Sequence, residues 1–258
     1  MNVRPTSPWP AALSALTLSL ALGACGRVPG QFEILNDQIP IPAGGGGCTI
    51  PVEPSVYQGE GTLDVSIVPG DFTSAYFFFP LIENNLPAST GQTSIDPNEI
   101  QLSGFQVDIT LLAPTTAMPA VAVQATLDMN ASFAHYQVPW SGGVGSGGGH
   151  LSAGVAAFPV PLAQALAQSG GIGMDPSLTF DLTIAALGTT NSGSHMTSDP
   201  FHFPLHLCSG CLVANKMPCP FPAAPTNPGN PCNPAQDVPV DCCTENGALV
   251  CPPTVAAQ

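Results

Sequence analysis

The 258-residue sequence predicts a mainly β protein, built as an antiparallel β-sandwich that is immunoglobulin-like in its general architecture. Three observations favour this fold class. Apolar and polar residues alternate in several segments, 30 prolines and 27 glycines mark the turns between them, and one segment carries the start and stop signals of a helix. Short alternating strands separated by turn clusters are typical of sandwiches.

The alternating pattern is clearest in residues 63–67, 105–111, 178–184 and 201–207. A period of two places every second side chain on the same side of a strand, so these segments predict strands with one buried and one solvent-facing side. Asp64, Asp108 and Asp181 take polar positions of the pattern. We therefore expect their carboxylates to face solvent.

Further features place individual elements. The run YFFF at residues 76–79 is apolar on both sides, which predicts a central strand or one covered by a second layer. Pro204 has no backbone N–H to donate, so it predicts that the last alternating segment is an edge strand. Pro161 suits the first position of one short connecting helix, LAQALAQ continues it, and residues 169–171 (SGG) end it.

The first 22 residues have the composition of an export signal. Arg4 is the one basic residue of the first ten, and residues 11–22 form an uncharged, mostly apolar stretch of the length of a signal-peptide core. A membrane-spanning helix needs about 20 apolar residues. The stretch therefore does not predict a permanent span.

Residues Leu22, Gly23, Ala24 and Cys25 read LGAC directly after this stretch. The tetrapeptide resembles the lipobox of bacterial lipoproteins. By that resemblance, residues 1–24 are removed, and Cys25 receives a diacylglyceryl group on sulfur and an acyl chain on its new α-amine. Two or more chains make membrane attachment stable, whereas a single chain binds reversibly. The alternative is an ordinary cleaved signal followed by an unmodified cysteine.

The resemblance also implies a location. In Gram-negative members of this class, an Asp directly after the lipidated cysteine favours retention in the inner membrane, and Gly26 stands at that position here. We therefore expect a cell-envelope protein that is anchored by lipid in the outer membrane, on either its periplasmic or its outer surface.

Composition divides the chain into four regions. Residues 1–24 are the signal peptide, and residues 25–47 are a lipidated N-terminus and flexible tether, whose apolar part FEILNDQIPIP is compatible with an edge strand. Residues 48–208 are the β-sandwich domain. Residues 209–258 have too few large apolar side chains for a core, so we expect disulfides to order them as an irregular tail.

The cysteine count supports an oxidising compartment. If Cys25 is lipidated, eight of the nine cysteines remain, and an even number outside the cytoplasm predicts disulfide bonds. Because seven of the eight follow residue 207, Cys48 has to pair with one of them if all pair internally. The neighbouring Cys242 and Cys243 are expected to take different partners. The candidates are Cys48, Cys208, Cys211, Cys219, Cys232, Cys242, Cys243 and Cys251.

Charge excludes some partners. After removal of residues 1–24, the two basic residues Arg27 and Lys216 face 17 acidic ones, a net side-chain charge of −15. Nucleic acids and anionic lipid surfaces require basic patches. The sequence therefore predicts no nucleic-acid partner, and a contact with the membrane only through the anchor on Cys25.

No cofactor is expected, and Ca²⁺ is the one ion that the composition mildly favours, since it takes several loop oxygens. Asp96, Asn98 and Glu99 in DPNE and Asp199 offer such oxygens, but neither place has EF-hand spacing, and Asp-Pro is also an ordinary turn start. The glycines of residues 143–148 satisfy GxGxxG without a helix signal after them, which predicts a hairpin loop.

The histidines and the CxxC also fail to predict a metal. His202 and His206 would stand about 13 Å apart in a strand that rises roughly 3.3 Å per residue, too far to share one ion. We expect His135, His150 and His195 on the surface. For the pair Cys208 and Cys211, a structural disulfide is favoured over a zinc site with Cys219 or Cys232 and over a redox pair, because the following LVANKMPCPFP cannot form the helix that lowers a thiol pKa.

These observations predict a non-enzymatic structural or binding protein of the cell envelope, with a protein or glycan partner. One alternative is an enzyme or accessory module that acts on cell-wall or extracellular polymer, with Asp64, Asp108, Asp128 or Asp181 as acids and bases. Such a pair must converge to within roughly 5–10 Å. A second alternative is a periplasmic metal-binding protein.

Overall fold

The computed structural model describes residues 30–44, 47–68, 74–90, 95–112, 119–168, 172–173, 178–220 and 225–251. The predicted signal peptide, the LGAC tetrapeptide and Cys25 lie outside these residues. Within them the prediction of a mainly β fold with antiparallel sheets is confirmed. None of the described helices is both long and apolar enough to cross a membrane.

The elements follow one another in this order: β1 Phe32–Gln38, β2 Ile41–Pro42, β3 Cys48–Thr49, β4 Tyr57–Gln58, β5 Gly61–Asp64, β6 Ser74–Phe78, β7 Pro80–Asn84, β8 Ile100–Leu112, α1 Pro119–Met129, α2 Ala131–Ala134, β9 His135–Val144, β10 Gly149–Ser152, β11 Val155–Pro159, α3 Val160–Gln168, β12 Leu178–Thr190, β13 His195–Thr197, β14 Phe201–Cys208, β15 Val213–Pro218, β16 Val240–Glu245 and β17 Ala248–Val250.

The larger sheet has the strand order β5-β14-β12-β8-β9, with β13 paired to β12 at one end. Strands β8 and β12 have 13 residues each and pair antiparallel along nearly their whole lengths. Along β12, buried and half-buried side chains alternate at every position. The period of two in residues 178–184 therefore predicted this strand and its buried side correctly.

Strand β14 is internal, so the edge strand predicted from Pro204 is wrong. It pairs antiparallel with β12 on one side and parallel with β5 on the other. The pairing with β5 begins at Leu205, one residue after Pro204. Pro204, which has no backbone N–H, therefore lies outside the pairing of β14 with β5. Strand β5 itself ends at Asp64, earlier than the alternation through residue 67 predicts.

A continuous two-stranded ribbon forms the centre of the second layer. Residues 74–84, which contain β6 and β7, pair antiparallel with residues 149–159, which contain β10 and β11. The pairing of β6 with β11 and that of β7 with β10 have the same register. Between the two pairs of strands, Ala153 N donates to Pro80 O at 3.2 Å. The predicted central strand YFFF lies in this ribbon, with Tyr76 and Phe78 fully buried.

Strand β1 extends the second layer, so residues 32–38 are a strand, as their apolar run allowed, and not part of a flexible tether. Phe32–Gln38 pairs with β7 on one side and with β4 on the other. Phe32 and Ile34 are buried in the hydrophobic core. The β-sandwich therefore begins before Cys48, the predicted boundary.

The two layers enclose one aromatic-rich core. Phe78 of the ribbon meets Phe203 of β14 edge to face, with ring centroids 5.2 Å apart. Phe158 of the ribbon meets Phe180 of β12 in the same way at 5.7 Å. Rings in this arrangement add stability beyond the area that they bury. The sandwich-like packing of the two layers follows from these contacts.

Three helices are present in the described residues, where one was predicted. The predicted helix is α3, which buries Val160, Leu162 and Leu166. Helices α1 and α2 connect β8 to β9 and were not predicted. The β-branched residues Val123 and Thr126 of α1 have low helix propensity. The glycine-rich residues 145–148 connect β9 of the larger sheet to β10 of the ribbon, and form no hairpin ladder.

The C-terminal segment is more regular than the predicted tail. Strands β15, β16 and β17 form a three-stranded sheet of their own. The prediction of disulfide bonds is confirmed, and all eight candidate cysteines are paired with each other. The bonds are Cys48–Cys232, Cys208–Cys211, Cys219–Cys243 and Cys242–Cys251.

Candidate functional site

Residues 235–237, which we call the arm, join the two layers at one edge of the sandwich. On one side Asp64 N donates to Ala235 O at 3.0 Å, and Asp237 N donates to Thr62 O at 2.9 Å, so the arm runs antiparallel along β5. Its other side contacts the ribbon through Gln236. The C-terminal segment is thus built into the domain that the sequence separated from it.

The side chain of Gln236 completes the edge of β6. Its Oε1 accepts from Phe77 N at 3.1 Å, and its Nε2 donates to Phe77 O at 3.4 Å. Two residues further along this edge, β1 provides the hydrogen-bond partners of Phe79. Asp37 Oδ1 accepts from Phe79 N, and Gln38 N donates to Phe79 O. The arm therefore covers the part of this edge that β1 does not reach.

Four polar side chains, which we call the seam cluster, meet where the arm joins the layers: Asp37, Gln58, Tyr76 and Asp237. Gln58 Nε2 donates towards Asp37 Oδ2 at 2.9 Å, Tyr76 Oη at 2.9 Å and Asp237 Oδ2 at 3.0 Å. Tyr76 Oη in turn lies 3.2 Å from Asp237 Oδ2. Asp37 and Tyr76 are fully buried, and Asp237 is partly buried.

Burial changes the acidity of this cluster. It raises the pKa of Asp37 well above the ordinary value, against the bonds from Phe79 N and Gln58, and the nearby charge of Asp237 raises it further. Burial raises the pKa of Asp237 to about 6, although bonds from Thr62 N, Gln58 and Tyr76 oppose the rise. Burial and both carboxylates raise the pKa of the Tyr76 hydroxyl. The cluster is most stable when it holds a proton.

Sequence reasoning missed the seam cluster because its members lie far apart along the chain. Gln58 and Asp237 are 179 residues apart, and Tyr76 and Asp237 are 161 residues apart. The one local signal was Asp37, a charged residue two positions after the mostly apolar run FEIL. The cysteine count added a hint, since Cys48 was expected to bond with the C-terminal segment.

Asp64 is buried, which corrects the prediction that it faces solvent. Its carboxylate accepts from Gly210 N at 2.7 Å, Leu212 N at 3.0 Å and both the N and Oγ of Ser66. It therefore holds the loop that contains the Cys208–Cys211 disulfide. One carboxylate oxygen and the two sulfurs lie within 4.8 Å of one another. The two sulfurs are bonded to each other as a disulfide. The arrangement therefore holds the CxxC loop in place through the hydrogen bonds of Asp64.

Asp108 and Asp181 are on the solvent side of the larger sheet, which we call the outer face. His135, Asp108, Thr183 and His202 form one row across β9, β8, β12 and β14. His202 Nδ1 lies 2.8 Å from an oxygen of Asp181, and His135 Nδ1 contacts Asp108. The two carboxylates are near neighbours on an open, half-exposed surface.

The remaining histidines and acids have local partners. His206 also lies on the outer face, beside Thr179 at 3.0 Å and Glu60 at 3.4 Å. His150 lies 3.2 Å from Glu83. Asp128 lies on α1, where it accepts from Gln124 at 2.9 Å. His195 begins β13, with Nδ1 3.2 Å from Thr189 Oγ1.

The DPNE segment forms a hydrogen-bonded turn. Asp96 Oδ1 accepts from Asn98 N at 3.0 Å, and Oδ2 accepts from Ser146 Oγ at 2.6 Å, bonds that lower the pKa of Asp96. The Glu99 carboxylate accepts from Gln101 and Asn191. Asp199 lines a surface groove of about 320 Å³ together with Glu33 and His202. The side-chain oxygens of Asp96 and Glu99 thus accept hydrogen bonds from neighbouring protein groups.

Comparison of the chain with family models, with curated proteins and with solved structures finds no match.

Proposed function

We propose that the protein is a lipid-anchored protein of the cell envelope, held in the outer membrane through Cys25, with a structural or binding role. The observation that carries the proposal is the LGAC tetrapeptide together with the disulfide pairing. Four disulfides use every cysteine except Cys25. Such bonds persist outside the cytoplasm, and the one cysteine left over is the one that the lipobox resemblance marks for acylation.

The binding surface that we propose is the outer face. It offers amide, hydroxyl, imidazole and carboxylate groups from four adjacent strands, including Gln106, Thr110, Thr183 and His202. Such groups suit a polar protein or glycan partner. Of the four carboxylates considered for a polymer-cleaving enzyme, Asp64 is buried and Asp128 lies on α1. Asp108 and Asp181 are neighbours, but they lie on an open sheet surface, so we favour binding over catalysis.

The anchor is tested by mass spectrometry and fractionation of the producing cells. We expect a mature chain that begins at Cys25 and carries acyl mass in the outer-membrane fraction. Cys25→Ala should release the protein from the membrane, whereas the matched control Gly26→Ala should leave it attached. A Cys25→Ala variant that stays in the membrane, or a mature chain without acyl mass, would exclude the anchor.

The binding role is tested by cross-linking the full-length protein in intact cells. The double variant Gln106→Arg/Thr110→Arg adds two bulky cations to the outer face. The control Gln164→Arg adds one to the exposed side of α3. We expect cross-links to a defined partner to disappear in the double variant and to persist in the control. Unchanged cross-links in both variants would show that the partner binds a surface other than the outer face. The lack of any cross-link in the wild type would favour a purely structural role.

A further inference from the structure

The arm is held by two carboxylates that face each other across one amide. Gln58 Nε2 lies 2.9 Å from Asp37 Oδ2 and 3.0 Å from Asp237 Oδ2. The two oxygens are therefore no farther apart than the sum of these distances, 5.9 Å. Two negative charges at this separation repel strongly where water is largely excluded. A proton on either carboxylate removes the repulsion.

The surroundings do not neutralise this pair. Among the described residues, the titratable groups that face Asp237 are Asp37 from β1 and Tyr76 from β6, while β4 and β5 contribute the uncharged Gln58 amide and Thr62 N–H. In the described parts of the chain, the ion pairs are His–carboxylate pairs in which neither Asp37 nor Asp237 takes part. Protonation of Asp37 or Asp237 is therefore the way in which the cluster loses one of its negative charges.

The arm also has an unusual backbone and a fixed base. Ala235 and Asp237 have φ angles of 62° and 58°, in the left-handed region. That region is unfavourable for alanine and persists only where the surrounding structure enforces it. Three residues before the arm, Cys232 is bonded to Cys48. An arm that leaves its place would therefore stay attached at its base.

We propose that the arm is a pH-sensitive latch: a proton held by the seam cluster in mildly acidic medium keeps residues 235–237 in place, and loss of that proton loosens them and uncovers the edges of β5 and β6. The raised pKa values of Asp37 and Asp237 support the direction of this switch. Because the folded cluster binds the proton more tightly than a free arm does, rising pH favours the open form. The proposal is independent of the lipid anchor and of the partner.

Hydrogen exchange of the intact protein measures the latch directly. The reporters are the amides that bond to the arm, those of Thr62, Asp64 and Phe77. After correction for intrinsic rates, we expect their opening equilibrium to rise about tenfold per pH unit between pH 4 and pH 6 and to level off above pH 6. The amides of Ile109 and Leu182, in the centre of the larger sheet, should show a smaller change. Reporter protection that is independent of pH, or that increases with pH, would overturn the proposal.

Two variants separate the latch from general effects of pH. Asp237→Asn retains an oxygen for Thr62 N but cannot ionise, so its reporter amides should lose most of the dependence between pH 4 and pH 6. The matched control Asp108→Asn removes a carboxylate from the outer face and should retain the wild-type profile. If Asp237→Asn keeps the wild-type midpoint, the latch is excluded. If Asp237→Asn does not fold, the wild-type profile and a comparison of Asp37→Asn with Asp108→Asn decide whether the latch exists.

Discussion

The side chain of Gln236 pairs with the backbone of Phe77 as a neighbouring strand would. Its amide supplies one acceptor and one donor to a residue on the edge of β6. A side chain can take this part because its amide has the same groups as a peptide bond. The C-terminal segment thereby completes the edge of the second layer, which begins about 200 residues earlier in the chain, at β1.

Replacing Gln236 by alanine tests this pairing. Gln236→Ala leaves the N–H and C=O of Phe77 without their partner in a largely buried place. We expect a loss of about 1–3 kcal/mol in the free energy of unfolding, measured by urea denaturation. The control Gln137→Ala removes the same side chain from an exposed position of β9 and should change stability by less than about 0.5 kcal/mol. Equal losses in both variants would contradict the pairing.

Gly61 of β5 lies against the ring of Tyr76, a member of the seam cluster, where a larger residue has no room. A Cβ at this position would lie 2.6 Å from Tyr76 Cζ and 2.9 Å from Phe203 Cε1, both buried rings. Gly61→Ala should therefore destabilise the protein by about 1–3 kcal/mol through overpacking. Gly59 has open space around it, so Gly59→Ala is the matched control. A Gly61→Ala variant as stable as the control in thermal unfolding would show that the rings can move aside.

Asp64 should be the least replaceable of the acids that the sequence singled out. Asp64→Asn keeps the volume but points an amide N–H₂ group at backbone donors. Because the carboxylate is buried and accepts from Ser66, Gly210 and Leu212, we expect a loss of about 3 kcal/mol. Asp181→Asn on the outer face should cost at most about 1 kcal/mol. The measurement is chemical denaturation of both variants with the disulfides intact.

Global stability should be highest in mildly acidic medium. Asp37 and Asp237 have raised pKa values in the folded state, so the stability they contribute is present near pH 4 and is lost as pH rises. For Asp237, with a pKa of about 6, the loss between pH 4 and pH 6 is on the order of 3 kcal/mol. Asp96 and Asp241 have lowered pKa values, so their contribution is lost as pH falls below 4.

The check is denaturant unfolding from pH 3 to pH 8. The free energy of unfolding should pass through a maximum near pH 4–5, and Asp237→Asn should flatten its alkaline side. A wild-type maximum at or above pH 7 would show that the seam cluster does not bind the proton as its burial requires.

Local sequence patterns predicted the long strands and little of their surroundings. The alternation in β8 and β12 is visible because each strand has one buried side over many residues. Residues 25–47 were predicted as a tether, with an apolar part that is only compatible with an edge strand, because the run FEIL is short and lies between Gly- and Pro-rich stretches. Its burial depends on pairing with β7, about 50 residues away. Pairing over such distances leaves no periodic signal at either end.

The polar sites show the same limit more sharply. Asp64 occupies a position of the alternating pattern that predicts exposure, yet a loop 146 residues later covers it. Asp108 and Asp181 follow the pattern, because their side of β8 and β12 is half-exposed in the part of the chain that the structure describes. A period of two tells which side of a strand a residue takes. It does not tell what will cover that side.

The Cys48–Cys232 disulfide turns residues 48–232 into a covalent ring that contains most of the sandwich. A single cut in the backbone anywhere inside this ring leaves both ends of the chain connected through sulfur. Strand β1 precedes the ring, and strands β16 and β17 of the C-terminal sheet follow it, so these strands would stay joined after a protease has nicked an exposed loop of the ring. Proteolysis that would divide an ordinary domain would here change only its migration on a reducing gel.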